Sequence, residues 1–491
     1  MRLVLYNPPS SATRKPVLPM SLLALGAVLE EHHEYALVDG NLEPDPVAAI
    51  DALVREWGAR ALAVTVMPGP QLAGAVPTCR RLKELRPRLT VIWGGYFPTQ
   101  HWDVCLRAPY VDFVVRGHGE LVLKELLDRL ESGGDPTSLA GLAYRNAVRE
   151  PVTNTMAPIP HPDRLPDFPY HKAEVSRYVR RTFMGVRTLP HHSSYGCPFF
   201  CNFCAVVNMV SGRWLAQSAD RTARVARTLV ERFGADAVEF YDNNFFVQES
   251  RTTEFAERIR DLRIAWWGEA RIDTLLRYSE RSWGMMRDSG LKMVFLGAES
   301  GSDETLKRMN KGGSASAEKT LAIAEKMRHY GIVPELSFVL GNPPDPETDT
   351  RRTLEFIRRV KGVNPNAEIV LYMYSPVPLD GELYERAKAS GFRFPDTLEE
   401  WISPAWQEFA QHRSTTMPWL SDGTRMEVRN FEQVLNAYYP TITDIKLRGF
   451  WRAVLKAASG WRYRLHIYAH PLELRALNHL LSYQRPETSG F

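Results

Sequence analysis

The sequence has few cysteines, no long apolar run and little net charge. Its 491 residues include five cysteines, fewer than a disulfide-stabilised secreted protein of this kind would use. No run of about 18 apolar residues occurs, so no transmembrane helix is predicted. The formal net charge of +4 is too small to indicate nucleic-acid binding. The N-terminal residues lack a signal-peptide pattern and predict a β-strand, which favours a cytoplasmic protein.

The remaining composition is typical of a folded chain with several domains. Hydrophobic residues make up 44% of the sequence and charged residues 24%. Because domains average roughly 100–200 residues, a chain of this length predicts about two to four of them.

The first 147 residues alternate short apolar runs with helical patterns. Such alternation predicts parallel strands with helices on both faces. The strands are continuous apolar runs, as expected when both sheet faces are buried. We predict a five-stranded, doubly wound, Rossmann-like α/β domain whose ligands lie beyond the carboxyl ends of the strands. The predicted strands are Arg2–Tyr6, Ala36–Asp39, Ala61–Val66, Thr90–Trp93 and Val111–Val115.

Three further regions follow this domain. The proline-rich residues 148–185 predict a linker. Residues 186–390 alternate again and predict a partial (β/α)6 barrel of the TIM type, with its active site at the strand carboxyl ends. Residues 391–491 predict a mostly helical C-terminal domain. The predicted barrel strands are Thr188–Ser193, Ala237–Tyr241, Ile264–Ala270, Met293–Gly297, Val333–Val339 and Glu368–Tyr374.

The strongest chemical signal is a cysteine motif after the first predicted barrel strand. Cys197, Cys201 and Cys204 follow a C-x3-C-x2-C spacing. Three thiolates on one loop can hold three irons of a [4Fe–4S] cluster and leave the fourth iron open for another ligand. A zinc site is the alternative, although it normally needs a fourth Cys or His.

The motif and its position resemble the radical S-adenosylmethionine (SAM) superfamily. The resemblance spans nearly all of Thr188–Ala389. It implies that the open iron chelates SAM, and that one electron then cleaves the sulfonium to give a 5′-deoxyadenosyl radical. Phe203 matches the aromatic position that packs beside the adenine.

Two further strand ends match the family's contacts with the methionine part of SAM. Asp242-Asn243-Asn244 resembles the motif that binds the amino group, with Asn243 where a second Asp is usual. An Asx turn would also explain this segment. Glu269 and Arg271 end the third strand, and Arg271 could form a bidentate pair with the methionine carboxylate. A salt bridge at the strand end is the structural alternative for Arg271.

The fourth and fifth strand ends complete the resemblance. Glu299 and Ser300 match residues that hydrogen-bond the ribose or the methionine of SAM. Gly341 begins the turn that lies near the adenine in this family.

The doubly wound domain ahead of this barrel resembles the cobalamin-binding subfamily of radical SAM enzymes. The D-x-H-x-x-G motif, whose histidine ligates cobalt, is absent, which implies cobalamin binding without a protein imidazole. His101 and His118 lie in predicted loops and could contact the corrin or pack in the core. A degenerate domain with tight strand-to-helix turns is the alternative. The implied cobalamin contacts are Asn7, Pro8, Asp39, Met67, Gly94, Gly95, Tyr96, Gly117 and Glu120.

The resemblance implies a cobalamin-dependent radical methyltransferase. It would methylate an unactivated carbon of a hydrophobic or natural-product-type substrate and take electrons from a flavodoxin or ferredoxin. An oxidative cyclase of tetrapyrrole-type substrates and a non-catalytic cobalamin- or cluster-binding sensor are the alternatives.

Aromatic and basic residues concentrate near the C-terminus. Trp401, Trp406 and Trp419 suggest a surface for a large apolar substrate, or simply core filling. Further along, a basic-aromatic stretch predicts either a peripheral membrane contact or a core-facing stripe with a solvated basic face. Its main members are Lys446, Arg448, Phe450, Trp451, Arg452, Lys456, Trp461, Arg462, Tyr463 and Arg464.

Overall fold

The computed structural model describes residues 1–10, 16–311, 314–411, 417–444 and 447–481. Lys446 of the basic-aromatic stretch lies outside these residues. Two compact units divide the described chain. The first comprises Met1–Tyr178, Ala205–Gln217 and Arg393–Thr416, and the second comprises Val179–Cys204, Ser218–Phe392 and Met417–Phe491. None of the described helices has the length and apolar character that crossing a membrane requires.

The described residues form strands and helices that alternate along most of the chain. The strands are β1 (Arg2–Asn7), β2 (Glu34–Asp39), β3 (Ala61–Thr65), β4 (Thr90–Gly94), β5 (Phe113–Val115), β6 (Leu142–Arg145), β7 (Pro151–Thr153), β8 (Thr188–His191), β9 (Ser194–Gly196), β10 (Trp214–Ala216), β11 (Ala237–Phe240), β12 (Ala265–Ala270), β13 (Leu291–Glu299), β14 (Val333–Leu340) and β15 (Glu368–Met373). The helices are α1 (Met20–Leu29), α2 (Pro46–Glu56), α3 (Pro70–Leu85), α4 (Tyr96–Gln100), α5 (Trp102–Arg107), α6 (Glu120–Ser132), α7 (Val206–Val210), α8 (Ala219–Phe233), α9 (Glu249–Ile259), α10 (Ile272–Leu275), α11 (Glu280–Asp288), α12 (Asp303–Arg308), α13 (Ala317–Tyr330), α14 (Pro346–Val363), α15 (Glu382–Ala389), α16 (Leu398–Trp401), α17 (Pro404–Ala410), α18 (Asp422–Tyr438), α19 (Gly449–Leu465) and α20 (Leu472–Leu481).

The first unit is built on a sheet with the strand order β2-β1-β3-β4-β5-β6-β7. Strands β1 to β5 are parallel, which confirms the predicted doubly wound fold. The chain order reverses between β1 and β3, and ligands of such sheets bind in the crevice beyond this point. Leu3 and Leu5 of β1 pack with Leu22, Leu126 and other buried residues in the core beneath α1 and α6.

The prediction of five strands was wrong, because two antiparallel strands extend the sheet. β6 pairs with β5, and β7 pairs with β6 at the edge. Both strands are too short, at four and three residues, to give a periodic pattern in the sequence. Pro151 opens β7 inside the proline-rich run, and an edge strand tolerates the missing backbone N–H. The predicted domain boundaries stay predictions, while residues up to Tyr178 belong to the first unit.

A short C-terminal segment completes the core of the first unit. Trp401 of α16 and Trp406 of α17 are buried, with ring centroids 4.9 Å apart. Trp401 also meets the ring of Phe97 in an edge-to-face contact at 5.1 Å. These two tryptophans therefore fill a core, and the suggestion that they offer a substrate surface was wrong.

The second unit is a six-stranded parallel sheet in the order β15-β14-β13-β12-β11-β8. Neighbours in the sheet follow one another in the chain with helices between them, which confirms the predicted partial (β/α)6 barrel. The first strand ends at His191 rather than at the predicted Ser193. Buried aromatic rings fill the space between β11, β12 and α9, including Phe240, Phe245, Phe255 and Trp266.

Candidate active site

The three motif cysteines lie on the loops beyond the carboxyl end of β8. Cys201 is buried, and Cys197 and Cys204 are half-buried. The backbone turns tightly between them, since the Cys204 N–H donates to the Cys201 carbonyl at 3.1 Å. A short local loop therefore presents all three thiols on one side of the barrel.

This cysteine loop is fixed by hydrogen bonds to the segment after α12. Asn202 donates from its backbone N–H to the Met309 carbonyl at 3.1 Å and from its side chain to the Arg308 carbonyl at 2.7 Å. Asn310 returns a side-chain hydrogen bond to the Phe200 carbonyl at 2.8 Å. The loop geometry is thus held by the segment that follows β13.

Two side chains from other strand ends point donors at the cysteine sulfurs. Asn244 Nδ2 lies 3.7 Å from Cys197 Sγ, and Arg271 Nη1 lies 3.5 Å from Cys201 Sγ. Burial raises the pKa of the Cys201 thiol, while the charges of Lys311 and Arg271 oppose that rise. The surroundings therefore contain groups that stabilise a thiolate.

The Arg271 guanidinium is held by protein groups on several sides. It makes a bidentate pair with Asp273, at 3.0 and 3.2 Å, and donates to the Lys311 carbonyl at 2.5 Å. Its carbon lies 3.8 Å from the centroid of the Phe199 ring. The salt-bridge alternative from the sequence accounts for this arrangement, because Asp273 takes the fork of the guanidinium.

The Asp242-Asn243-Asn244 segment contains two buried side chains and one exposed side chain. Asp242 is fully buried and accepts hydrogen bonds from the Ser193 N–H and hydroxyl, at 2.6 and 2.5 Å, and from the Ser194 hydroxyl at 2.8 Å. Its carboxylate therefore joins the β8 and β11 ends. Asn243 is exposed, whereas Asn244 is buried beside Cys197.

Glu269 lies at the end of β12 beside the Asp242 carboxylate. Burial, and then the negative charge of Asp242, raise the pKa of Glu269 to about 8. Its carbonyl accepts from the Phe245 N–H at 2.9 Å, which fixes the loop after β11 against β12. At neutral pH the Glu269 side chain is therefore largely protonated and can donate a hydrogen bond.

Lys311 is a site residue that our sequence analysis missed. Its ammonium forms a buried ion pair with Glu299, and it lies 5.9 Å from the Phe203 ring centroid. Glu299 has a φ of 64°, a left-handed conformation that non-glycine residues rarely adopt. A Cβ on Gly297 would lie 2.1 Å from the Glu299 carboxylate, so a larger residue there would displace this ion pair. The family-like segment around Glu299 contains Lys311, which was the available signal.

Ser300 packs the end of β13 against α14. It is fully buried, and its hydroxyl lies 3.2 Å from Asp349 Oδ1 and 3.2 Å from Thr353 Oγ1. Protein partners therefore engage the Ser300 hydroxyl, and its contact with SAM stays a prediction.

Gly341 and Phe203 border an aromatic patch beyond β14 and β15. Gly341 has a φ of 74°, and its carbonyl accepts from Trp419 Nε1 at 2.9 Å. Phe203 is half-buried against a small cluster that contains Tyr374 and Leu383, with Trp419 beside it. Trp419 therefore does lie with predicted site residues, unlike Trp401.

The barrel interior below these strand ends carries buried carboxylates. Glu239 is paired with Arg180, and the Tyr241 hydroxyl donates to it at 2.7 Å. Glu335 is 1% exposed and accepts from Trp267 Nε1 at 3.2 Å. Burial raises the pKa of Glu335 well above its ordinary value and so favours the protonated carboxyl.

In the first unit, polar side chains link the ends of β1, β2 and β3. Asn7 donates to Asp39 at 2.9 Å and accepts from Gln71 Nε2 at 2.9 Å. Gln71 in turn accepts from the Met67 N–H at 2.9 Å. Asn7 and Asp39 are buried and engaged with each other, whereas Met67 is 37% exposed. Pro8 follows Asn7 and is also buried.

Glycines line the ends of β4 and β5. Gly95 has a φ of 97°, and a Cβ there would lie 3.2 Å from both Thr65 Oγ1 and the Val66 N–H nitrogen. Thr99 accepts from the Gly117 N–H at 2.9 Å and donates to the Gly95 carbonyl at 2.7 Å. The remaining predicted contacts are Gly94 and Tyr96, which are half-buried, and Glu120, which is buried.

His101 packs in an aromatic cage within the first unit. Its ring lies 5.0 Å from Phe97, 5.0 Å from Phe394 and 4.7 Å from Trp401. Burial lowers the pKa of His101 to about 3, so the imidazole is neutral. The core alternative therefore describes His101, while His118 is half-buried.

Two family models match the chain in the order of the two folds. The B12 binding domain model covers residues 13–127, and the Radical SAM superfamily model covers residues 192–357. The first match falls within the doubly wound fold, and the second includes the three cysteines and strands β11 to β14.

Several known proteins resemble this chain over most of its length. An uncharacterized methyltransferase of Pyrococcus horikoshii is 26% identical over 376 residues, which are 73% of this chain and 78% of that protein. The anaerobic magnesium-protoporphyrin IX monomethyl ester cyclase of Synechocystis is 26% identical over 65% of each chain. The structure of the radical SAM methyltransferase TsrM from Kitasatospora setae, with cobalamin and a [4Fe–4S] cluster bound, matches with a TM-score of 0.67 at 16% identity, over 97% of this chain and 99% of that one. This chain therefore belongs to the radical SAM enzymes that carry a B12-binding domain.

Proposed function

We propose that this protein is a cobalamin-dependent radical SAM methyltransferase acting on an unactivated carbon of a hydrophobic or natural-product-type substrate. The observation that carries the proposal is the loop with Cys197, Cys201 and Cys204, toward which Asn244 and Arg271 point hydrogen-bond donors. Such donors near thiolates tune an iron–sulfur cluster.

The donor set fits a [4Fe–4S] cluster. Among the described residues, no three His, Cys, Asp or Glu side chains converge on the position of a single metal ion. The thiolates of a [4Fe–4S] cluster each bind a different iron, so they surround the cluster and need not converge. We therefore assign Cys197, Cys201 and Cys204 as its ligands.

The residues beside the cysteines fit the polar and aromatic parts of SAM. We assign Phe203 and the Gly341 turn to the adenine, and Asn243, Asn244 and Glu269 to polar groups of SAM. The Glu299 carboxylate and the Lys311 ammonium add a negative and a positive charge beside these residues. Arg271, Asp242 and Ser300 hold these groups in place, because their own hydrogen-bonding atoms are used by the protein.

The strand ends of the first unit fit a large neutral ligand such as cobalamin. Gly94, Gly95 and Gly117 offer backbone without side chains, which permits the close approach of a ring. Met67 and Tyr96 supply partly exposed apolar surface, while the buried residues Asn7, Pro8, Asp39 and Glu120 support the loops from below. The sequence places no histidine in the loop after β1, which agrees with cobalamin binding without a protein imidazole.

The cofactors supply the reactive groups, and the residues of the chain bind and orient them. When bound, the cluster supplies the electron that cleaves SAM, and methylcobalamin supplies the methyl group. Because the Lys311 and Glu299 side chains are buried and paired, their charges are held in fixed positions at the strand ends. Protonated Glu269 offers a hydrogen-bond donor there, and the aromatic patch of Phe203, Tyr374 and Trp419 excludes water from a reactive species.

One alternative reaction keeps specific support. The relatives include anaerobic cyclases as well as methyltransferases, so an oxidative cyclase of tetrapyrrole-type substrates is the second candidate. A non-catalytic sensor is less consistent with the SAM-type residues at five strand ends. We further propose a flavodoxin or ferredoxin as electron donor, a cytoplasmic location and a small-molecule substrate.

The test is anaerobic reconstitution of the full chain with iron and sulfide, followed by addition of hydroxocobalamin and SAM. We expect the visible absorption of a thiolate-ligated cluster, stoichiometric cobalamin, and 5′-deoxyadenosine when a reductant is added. With candidate substrates, a gain of one methyl group in product mass identifies the transferase, whereas loss of hydrogen without added carbon identifies the cyclase. Absence of 5′-deoxyadenosine in the reconstituted protein would contradict both enzymatic proposals.

A further inference from the structure

Two C-terminal helices of the second unit carry large apolar side chains on their solvent side. Phe450, Trp461 and Leu465 of α19 are 70%, 48% and 65% exposed. Leu472 and Leu480 of α20 are 64% and 77% exposed. The intervals among these residues follow the helical repeat, so each set lies along one side of its helix. We call these five residues the α19–α20 face, and apolar clusters of this kind mark interaction sites.

The opposite side of α19 is already packed against the protein. Leu455 and Tyr463 are buried, and the Tyr463 ring stacks on Tyr438 with centroids 4.6 Å apart. Arg358 covers the other side of Tyr463 at 4.3 Å from its centroid. The core-facing stripe that the sequence predicted as an alternative therefore accounts for Leu455 and Tyr463. The residues of the α19–α20 face stay exposed to solvent.

Basic residues border this face and have little local counter-charge. Residues 447–481 contain six basic residues and one acidic residue, although the whole chain has a net charge of only +4. The acid, Glu473, is paired with the buried Arg462. Arg448 and Arg464 are exposed at the two ends of α19, whereas Lys456 lies over the Tyr438 ring, with Nζ 5.5 Å from its centroid. The surface is therefore both apolar and cationic.

We propose that the α19–α20 face docks on an anionic phospholipid bilayer. Interfacial helices of membrane-bound proteins combine exposed Trp, Phe and Leu with flanking Lys and Arg in this way. The apolar side chains enter the headgroup boundary, and the cations attract acidic lipids. A second copy of the chain is a poorer occupant, because a symmetric contact would bring the same cations together. This inference is independent of the proposed reaction.

The experiment is flotation of the full chain with vesicles of phosphatidylcholine alone or mixed with phosphatidylglycerol. We expect binding to the mixed vesicles, a blue shift in tryptophan emission, and loss of binding at high salt. The double variant Trp461→Glu/Leu465→Glu should reduce partitioning by about tenfold or more, since it removes apolar contacts and adds repulsive charge. The matched control Met426→Glu changes a side chain of α18 that is 45% exposed and should bind normally.

A second variant separates the charge contribution from any folding defect. Arg448→Glu/Arg464→Glu keeps the apolar side chains and should remove the preference for phosphatidylglycerol. Failure of the wild-type chain to bind mixed vesicles would overturn the proposal. Equal binding by the wild type and both double variants would also overturn it, as would a dimer in sedimentation that only Trp461→Glu/Leu465→Glu dissociates.

Discussion

The Arg271 guanidinium donates a hydrogen bond to the sulfur of Cys201, with Nη1 and Sγ 3.5 Å apart. The same guanidinium forms a bidentate pair with Asp273. Residues from β12 and the cysteine loop are therefore joined through one side chain. This relationship supports the assignment of Cys201 as a cluster ligand, because it places a fixed positive charge beside the sulfur.

Replacement of a motif cysteine should remove the cluster, whereas replacement of another buried cysteine should not. We expect Cys201→Ala to lose the visible absorption and most of the iron and acid-labile sulfide after anaerobic reconstitution. Cys79→Ala is the matched control, since Cys79 is buried in the first unit and contacts Trp93 Nε1 at 3.4 Å. Equal iron and sulfide in the two variants would refute the ligand assignment.

The buried Lys311 and Glu299 pair should be sensitive to removal of one partner. Lys311→Met leaves the Glu299 carboxylate without its counter-charge, which should lower the free energy of unfolding by about 3–5 kcal/mol. The double variant Glu299→Gln/Lys311→Met should recover most of that loss. Lys326→Met is the control, because its partner Glu280 is mostly exposed and such pairs contribute roughly 0–1 kcal/mol. Urea denaturation measures all three, and similar losses for Lys311→Met and Lys326→Met would contradict the prediction.

Buried acids should make the stability of the apoprotein fall as the pH rises. The folded pKa of Glu335 is raised above its ordinary value of 4.5, and that of Glu269 is raised to about 8. A raised folded pKa means that the protonated form stabilises the fold below the ordinary pKa, and that this contribution is lost as the pH rises through the folded pKa. We expect the free energy of unfolding to decline between about pH 5 and pH 9.

The variant Glu335→Gln should flatten this decline. Its amide is neutral at every pH and keeps an oxygen that can accept from Trp267 Nε1. Denaturation at several pH values should therefore give a more stable variant above about pH 8. The control Glu325→Gln changes an exposed carboxylate and should follow the wild type. A Glu335→Gln curve parallel to the wild type would rule out the buried carboxyl as a cause.

A methyl group at Gly95 should impair cobalamin binding more than it impairs folding. Gly95→Ala forces a side chain into a left-handed conformation and against Thr65 and Val66. Gly133→Ala is the matched control, because Gly133 has a φ of 73° and a Cβ there would meet no atom within 4 Å. Gly133→Ala should cost about 1 kcal/mol in stability. Gly95→Ala should cost more, because its Cβ also meets Thr65 and Val66. Titration with hydroxocobalamin should give an affinity at least about tenfold lower for Gly95→Ala only, and equal affinities would exclude this strand end as the site.

The amino-acid sequence determined the order of the elements and the position of the chemistry. Continuous apolar runs fixed the five parallel strands of the first sheet and all six strands of the second. The spacing of Cys197, Cys201 and Cys204 identified the cluster motif, because three ligands within one loop are close in space whatever the rest of the chain does.

Only the tertiary structure decided which polar groups face one another. Asp242 bonds to Ser193, Ser300 to Asp349, and Arg271 to Asp273, so three residues that the sequence assigns to SAM also have protein partners. Lys311 was recognised as a site residue only because its ammonium pairs with the Glu299 carboxylate. Periodicity reports the face of a strand or helix, but a side-chain partner depends on loops and strand ends that meet only after folding. The same reason explains Trp401, which packs on Phe97 from a segment far away in the chain. β6 and β7 were missed because they are only four and three residues long.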